Sequence, residues 1–376
     1  MPNPASHPPM RDALSPPNAP TRRTHRLRRR LVACCFRRLL RSTDEQLCEP
    51  DQLPVRGIHR VLVCRPNHRL GNTLLISPLL AEIETLYPGA EIDLVSAGCA
   101  ARNLFTRRFQ VRTVYSLPRK IARHLWATID LLRQVRSDTY DLAIDACNDS
   151  QSGRLLLAIA KARFKLGYPG EQSGRKSAWR DFPCPVHLAH RGVFLLRTAY
   201  AGKTEQAWPP LNLRLSDDEK MQAREALKAV LGGPGRSPGK QPVIGMFANA
   251  TGTKRYPTDW WKQFIDCLQT LRPDICIVDL VAEHGQSQLG NHFASYYTRD
   301  LRRLAAVIAN MDGFISADCG VMHLAVASGT PTLGLFSTTC SGKYGPYGTN
   351  HTAVDTRPLG AADVATIAAD WLALRC

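Results

Sequence analysis

No apolar run in this chain approaches the ~18 residues at which a segment becomes a candidate membrane span. Its beginning also lacks the continuous apolar stretch of a secretory signal. Twelve cysteines are present, but none form C-x-x-C and none have zinc-site spacing. Neither a disulfide framework nor a structural metal is indicated, and unpatterned cysteines in a long chain fit a reducing, cytoplasmic compartment. Aromatics amount to 7% and are not interleaved with the basic runs, which argues against a single-strand nucleic-acid binder.

What the chain has in excess is positive charge, +17 from 49 Lys and Arg against 32 Asp and Glu. Residues 1–43 carry ten arginines and one acid, and residues 44–54 carry four acids. Residues 55–205 sum to +11 and residues 206–376 to +1. An anionic partner is therefore to be sought in the first half of the body and in the tail. Within the tail Leu27, Leu31, Cys35 and Leu39 recur every four residues among arginines. That pattern fits either a basic helix on an anionic membrane surface or a solvated tail.

With 376 residues, two domains are expected. From residue 58 short apolar strands alternate with helical patterns: Ile58 to Cys64, a helix from Gly71 through Tyr87, Glu91 to Ser96, Val111 to Ser116, a helix from about Arg119 to Arg136, and Asp141 to Asp145. A capping box at Ser216 to Glu219 opens a helix to about Leu231, followed by the Gly/Pro-rich stretch Gly232 to Pro242. The alternation then restarts with Val243 to Phe247, a helix from Thr258, Ile275 to Val281, a helix around Asp300 to Met311, Gly313 to Ala317, a helix from Gly320, and Thr332 to Phe336. Two parallel-sheet α/β units follow, with ligand expected between them at the strands' carboxyl ends. The expected divisions are a tail at 1–54, a first Rossmann-like domain at 55–205, a connection at 206–242 and a second domain at 243–376.

Three turns carry candidate chemistry. Arg65 to Asn72 joins the first strand to its helix, with Gly71 where backbone amides can approach a ligand. Asn249-Ala-Thr251-Gly-Thr253-Lys254 follows the strand opening the second domain, and hydroxyls plus one ammonium suit phosphate oxygens. Ser316-Ala-Asp318-Cys-Gly320-Val-Met322-His323 runs from strand end into helix. Asp318 alone could be an N-cap and His323 alone a core residue; together at a strand's carboxyl end they point to a nucleotide site. Glu283, just past another strand, could accept hydrogen bonds from a ribose.

These residues in this order resemble glycosyltransferase family 9, the ADP-heptose:lipopolysaccharide heptosyltransferases. The resemblance spans roughly residues 58–356 and rests on RPNHRLGNTLLISPLL, TGTKRYP and, most specifically, SADCGVMHLAVASGTPTLGLF followed by GKYGP. It implies a GT-B fold of two Rossmann-like domains facing a central cleft, acceptor on the first and nucleotide sugar on the second. Asn249, Thr251, Thr253, Lys254, Glu283, Asp318, Gly320, Met322 and His323 would then contact the donor. Arg65, Arg69, Gly71, Asn72, Arg102 and Arg107, with Arg108 beside it, would serve an anionic lipopolysaccharide-type acceptor. The implied reaction is inverting and needs neither metal nor cofactor beyond the nucleotide-sugar co-substrate, Lys254 stabilising the leaving diphosphate. Peripheral attachment to the cytoplasmic face of the inner membrane would give the arginine-rich tail a purpose.

One position departs from that pattern. The family usually has Asp after the glycine of the opening turn, which the resemblance implies to be the base, where this chain has Asn72. An amide does not accept a proton at working pH. Three readings stand: another carboxylate serves, Asp145 or Asp149 being the candidates; Asn72 orients the acceptor while phosphate or solvent takes the proton; or the protein binds nucleotide sugar without catalysis. A nucleic-acid-binding role would rest on the net charge alone.

Overall fold

The computed structural model describes residues 43–120, 123–147, 150–168, 179, 182–202, 204, 206–232 and 241–375. The helix expected in the basic tail, Asp149 and most of the Gly/Pro stretch after Gly232 lie outside them.

Two parallel sheets organise the chain. The first contains β1 (Arg60–Arg65), β2 (Glu91–Ala97), β3 (Val111–Leu117), β4 (Thr139–Asp145) and β5 (Lys161–Gly167) in the order β3-β2-β1-β4-β5. The second contains β6 (Val243–Phe247), β7 (Cys276–Val281), β8 (Ala294–Tyr297), β9 (Gly313–Ala317), β10 (Thr332–Phe336) and β11 (His351–Asp355) in the order β11-β10-β9-β6-β7-β8. Central strands such as β1, β9 and β10 are buried almost throughout, as expected of strands covered on both faces.

The helices of the first unit are α1 (Leu70–Leu74), α2 (Ser77–Leu86), α3 (Ala100–Phe105), α4 (Leu125–Ser137), α5 (Gln151–Ile159) and α6 (Leu188–Ala199). Then come α7 (Asp217–Leu231), α8 (Thr258–Leu271), α9 (Leu301–Ile308), α10 (Gly320–Ser328), α11 (Ser341–Tyr344) and α12 (Ala361–Ala373). The single helix expected from Gly71 to Tyr87 is two helices, because Pro78 lies in the first turn of α2. Proline lacks the N–H for an internal helical bond and clashes with the carbonyl four residues back. The helix expected from Arg119 starts only at Leu125. Arg119, Lys120 and Arg123 would crowd positive charge onto its N-terminal dipole.

Chain order fixes where a ligand can sit. The first chain segment leaves β1 toward β2 and β3, then crosses back to β4. In the second sheet the chain leaves β6 toward β7 and β8, then crosses back to β9. Neighbouring connections depart to opposite sides at β1/β4 and at β6/β9, opening a crevice at each carboxyl edge. Helix α7 starts in the expected capping box, Ser216 and Glu219 exchanging both bonds. It lies beside the second unit, where the Asn310 amide donates to Lys220 O at 2.9 Å.

Candidate functional site

The crevice of the second sheet gathers three strand exits. After β6, Gly252 takes a positive φ of 63° and a short 3-10 turn, Gly252–Lys254, brings Lys254 back over the sheet edge. Lys254 Nζ meets Asp318 Oδ2, at the exit of β9, at 2.7 Å. The Thr339 hydroxyl, beyond β10, donates to that same carboxylate oxygen. Thr338 donates to Thr253 O at 3.0 Å, so the loops after β6, β9 and β10 close on one point. Asp318 is buried, whereas Lys254 keeps 28% of its side chain exposed. This cation is neutralised in place yet open on one side, where a second anion can meet it.

Other expected donor residues occupy different surroundings. Thr251, Thr253 and Glu283 are exposed. The Asn249 amide meets His284 Nε2 at 2.6 Å, and Glu283 O accepts from the Tyr297 hydroxyl at 3.1 Å; both lie toward the β7 side. Met322 is fully buried, and a Cβ on Gly334 of β10 would stand 2.5 Å from its sulfur. Its side chain therefore fills the core beneath the crevice, and only the backbone of Met322, in the first turn of α10, is on the crevice side.

Gly320 and His323 also have a role that was not foreseen. A Cβ on Gly320 would lie 2.7 Å from Leu70 Cβ and 3.1 Å from Gly71 N. A Cβ on Gly71 would lie 2.8 Å from His323 Cδ2. The two glycines let α1 of the first unit and α10 of the second touch backbone to backbone, with the His323 ring closing the gap. His323 is 3% exposed, its Nδ1 has no hydrogen-bond partner among the described residues, and burial brings its pKa down to about 4. The N-terminus of α10 is thus not wholly open; the side toward Lys254 remains for an anion.

In the first sheet's crevice, Arg65 donates through Nε to Asn72 O at 3.3 Å and through Nη1 to Cys147 Sγ at 2.6 Å. Cys147 N donates in turn to Asp145 Oδ1 at 3.0 Å. The chain Asn72–Arg65–Cys147–Asp145 joins the exits of β1 and β4. Asp145 is 1% exposed, and burial raises its pKa to about 7, with the Cys147 backbone bond, Arg65 and Arg154 opposing the rise. A Cβ on Gly153 would stand 2.2 Å from Asp145 Oδ2, so the carboxyl is roofed by α5. It anchors Cys147 and does not present itself to an acceptor hydroxyl.

Among the acceptor candidates, Arg69 and Arg102 are exposed. Arg107 instead pairs with Glu219 at 2.7 Å, and Arg108 is buried in a two-pronged pair with Glu84, Nη2 to Oε2 at 2.9 Å. Arg107 reaches α7 through this pair yet keeps 69% of its side chain exposed, whereas the Arg108 pair lies wholly inside the first unit and takes that guanidinium out of reach of an acceptor.

Comparison with known proteins settles the class. The model of glycosyltransferase family 9 (heptosyltransferase) matches residues 128–364, more than half of the chain. The chain belongs to glycosyltransferase family 9. It is a glycosyltransferase with the GT-B arrangement of two parallel-sheet α/β units. The E. coli heptosyltransferase WaaC with ADP superposes with a TM-score of 0.64 at 20% identity, over 83% of this chain and 99% of that one. The family 9 glycosyl transferase from Veillonella parvula DSM 2008 gives 0.65 at 16% identity, over 82% and 88%. E. coli ADP-heptose lps heptosyltransferase II gives 0.61 at 19%, over 84% and 98%. No curated protein matches by sequence.

This family 9 chain carries a further link that no motif announced. His187 caps α6 by accepting from Ala189 N at Nδ1, 3.3 Å, which leaves Nε2–H to donate to Gly345 O at 2.9 Å. Gly345 ends α11, whose Tyr344 ring lies 5.9 Å from Lys254 Nζ. Tyr347 packs on both His187 and His190, at 5.0 and 4.9 Å between ring centres. GKYGP was noted as part of the resemblance; its partner His187, in an unpatterned loop, was not visible in the sequence.

Proposed function

We propose that this protein transfers a sugar, heptose from ADP-heptose being the first candidate, to an anionic lipopolysaccharide-type glycolipid, with inversion. The carrying observation is the Lys254–Asp318 pair at the β6/β9 switch point, partly open, beside the helix α10 that meets the glycine turn of the first unit. Lys254 and the Gly252–Lys254 backbone meet the leaving diphosphate, Glu283 the ribose, and Asp318 fixes the ammonium. The acceptor oxygen attacks the anomeric carbon as the bond from that carbon to the diphosphate oxygen breaks. Lys254 takes up the developing negative charge without reorganising. The excess charge of +11 over residues 55–205 supports an anionic acceptor there.

The burial of Asp145 favours Asn72 as the group that orients the acceptor, its hydroxyl proton passing to solvent or to the departing phosphate. Attachment at the cytoplasmic face of a membrane belongs to this reading; among the described residues no helix is long and apolar enough to cross one.

Thermal unfolding against a panel of nucleoside diphosphates and nucleotide sugars tests the donor site. A ligand at about 100 times its dissociation constant adds roughly 2.7 kcal/mol. One nucleotide class should stabilise the wild type and fail with Asp318→Ala; equal stabilisation of both would sink the assignment. Asn72→Asp then separates slow catalyst from inactive homologue. A gain in transfer supports the first, and no transfer by either form supports the second.

A further inference from the structure

We propose that Arg119, Lys120, Arg123, Leu125 and Trp126 form a lip that docks on an anionic lipid bilayer and delivers the cleft to its acceptor. Trp126 is 79% exposed and Leu125 is 55% exposed, side by side at the start of α4. Lone exposed apolar residues are ordinary, but adjacent large ones among an excess of positive charge mark an interaction surface. Residues 119–136 carry five Lys and Arg against one acid, Asp130, which is bonded to Gln134 at 2.8 Å.

None of those five cations is ion-paired among the described residues, and all five are exposed. Arg107, Arg108, Arg112 and Arg197 of the same unit all have acidic partners. Three of the five precede a helix N-terminus, where positive charge does nothing for the helix. Indole at a headgroup boundary with Lys and Arg over anionic lipid is the chemistry that uses both features.

Position supports the same occupant. The lip follows β3, the edge strand of the first sheet, so it lies at the carboxyl edge that also carries Arg65 to Asn72. It folds over the intervening β2 exit: a Cβ on Gly98 would be 3.2 Å from Arg119 Nε. Bilayer surface and acceptor turn therefore share one rim. This inference rests on the reading of a glycolipid acceptor.

The test uses the full chain with vesicles of phosphatidylcholine, with and without phosphatidylglycerol, whose acyl chains are brominated to quench indole emission. Anionic vesicles should quench the wild type and neutral ones should not. Trp126→Phe, at an exposed site that leaves the core untouched, should lose most of the quenching. So should the Arg119→Gln/Lys120→Gln/Arg123→Gln variant. Equal quenching of wild type and Trp126→Phe overturns the proposal, as does vesicle binding without quenching. A wild-type dimer that Trp126→Phe converts to monomer, without quenching, would assign the lip to a second copy instead. Transfer to a delipidated, soluble acceptor is measured in parallel and should be unchanged in Trp126→Phe. If the wild type transfers and Trp126→Phe is still quenched equally, only the lip is wrong. If the quenching pattern holds but no transfer occurs, the glycosyl-transfer reading fails and the docking surface stands.

Discussion

Gly320→Ala puts one methyl group into the tightest contact between the two units. Its Cβ would lie 2.7 Å from Leu70 Cβ and 3.0 Å from Leu70 Cγ, where carbon atoms prefer about 3.5–4.0 Å. Leu70 Cγ can rotate away. Leu70 Cβ cannot, because its position is set by the backbone of α1, so either α1 shifts or the units part. If the closed form absorbs the strain, overpacking of this kind costs about 1–3 kcal/mol. At roughly 2–4 °C per kcal/mol for a domain of this size, the unfolding midpoint falls by several degrees. If the units part instead, the midpoint stays near that of the wild type and transfer falls, because the α1 turn and α10 no longer meet across the cleft. Both quantities are measured on the same preparation. The double variant Leu70→Gly/Gly320→Ala removes the opposing atom and should regain part of the loss, a coupling of about 0.5–3 kcal/mol. A Gly320→Ala protein identical to wild type in midpoint and transfer, or a double variant that is strictly additive, would falsify the contact.

Lys254→Ala should slow transfer by roughly two to three orders of magnitude, the effect of deleting one preorganised charge-stabilising donor, as read from initial rates at saturating donor. His187→Ala deletes both the α6 cap and the Gly345 bond. A stability loss of about 0.5–2 kcal/mol is expected, together with a raised KM for the donor; a change in stability alone would make the residue only a cap. The pH dependence has a definite sign. Burial lowers the pKa values of His187, His190, His323 and His351, the last two to about 4. The unfolded chain therefore binds more protons below about 6.5, and stability present above that pH is lost as pH falls toward 4. Each fully uncoupled proton contributes about 1.4 kcal/mol per pH unit. Asp145, raised to about 7, acts oppositely: its contribution is present at low pH and fades as pH rises through 7. Denaturant unfolding at a series of pH values should thus show a shallower acid loss in His323→Gln and a steeper one in Asp145→Asn.

The central strands and the donor crevice were legible because they obey local rules. β6, β9 and β10 are mostly apolar runs and begin and end where the sequence places them, and the α7 capping box is explicit. β5, β8 and β11 were not foreseen. They are sheet edges, and KARFKLG and ASYY need no continuous apolar run when one side meets solvent. Lys254 and Asp318 stood out as strand-end polar residues, but nothing local revealed that they pair. The roles of Gly71, Gly320 and His323 depend on two helices 250 residues apart in the chain, roughly, meeting across the cleft, and Glu219 as the partner of Arg107 is equally non-local. Asp145 stood at the right strand end; only packing shows that α5 covers it.

Glu219 does more than complete a cap. Its carboxylate also receives both prongs of Arg302, at 2.7 and 2.6 Å, and Arg107 at 2.7 Å, and the Arg302 pair leads in lowering its pKa to about 2. Arg302 donates on to Leu104 O in the first unit at 2.8 Å. The carboxylate that closes the capping box of the helix between the two units is thus held by side chains from both. Neither half supplies all of its partners, so melting should be cooperative: one calorimetric transition for the pair, and two once Glu219→Gln uncouples them.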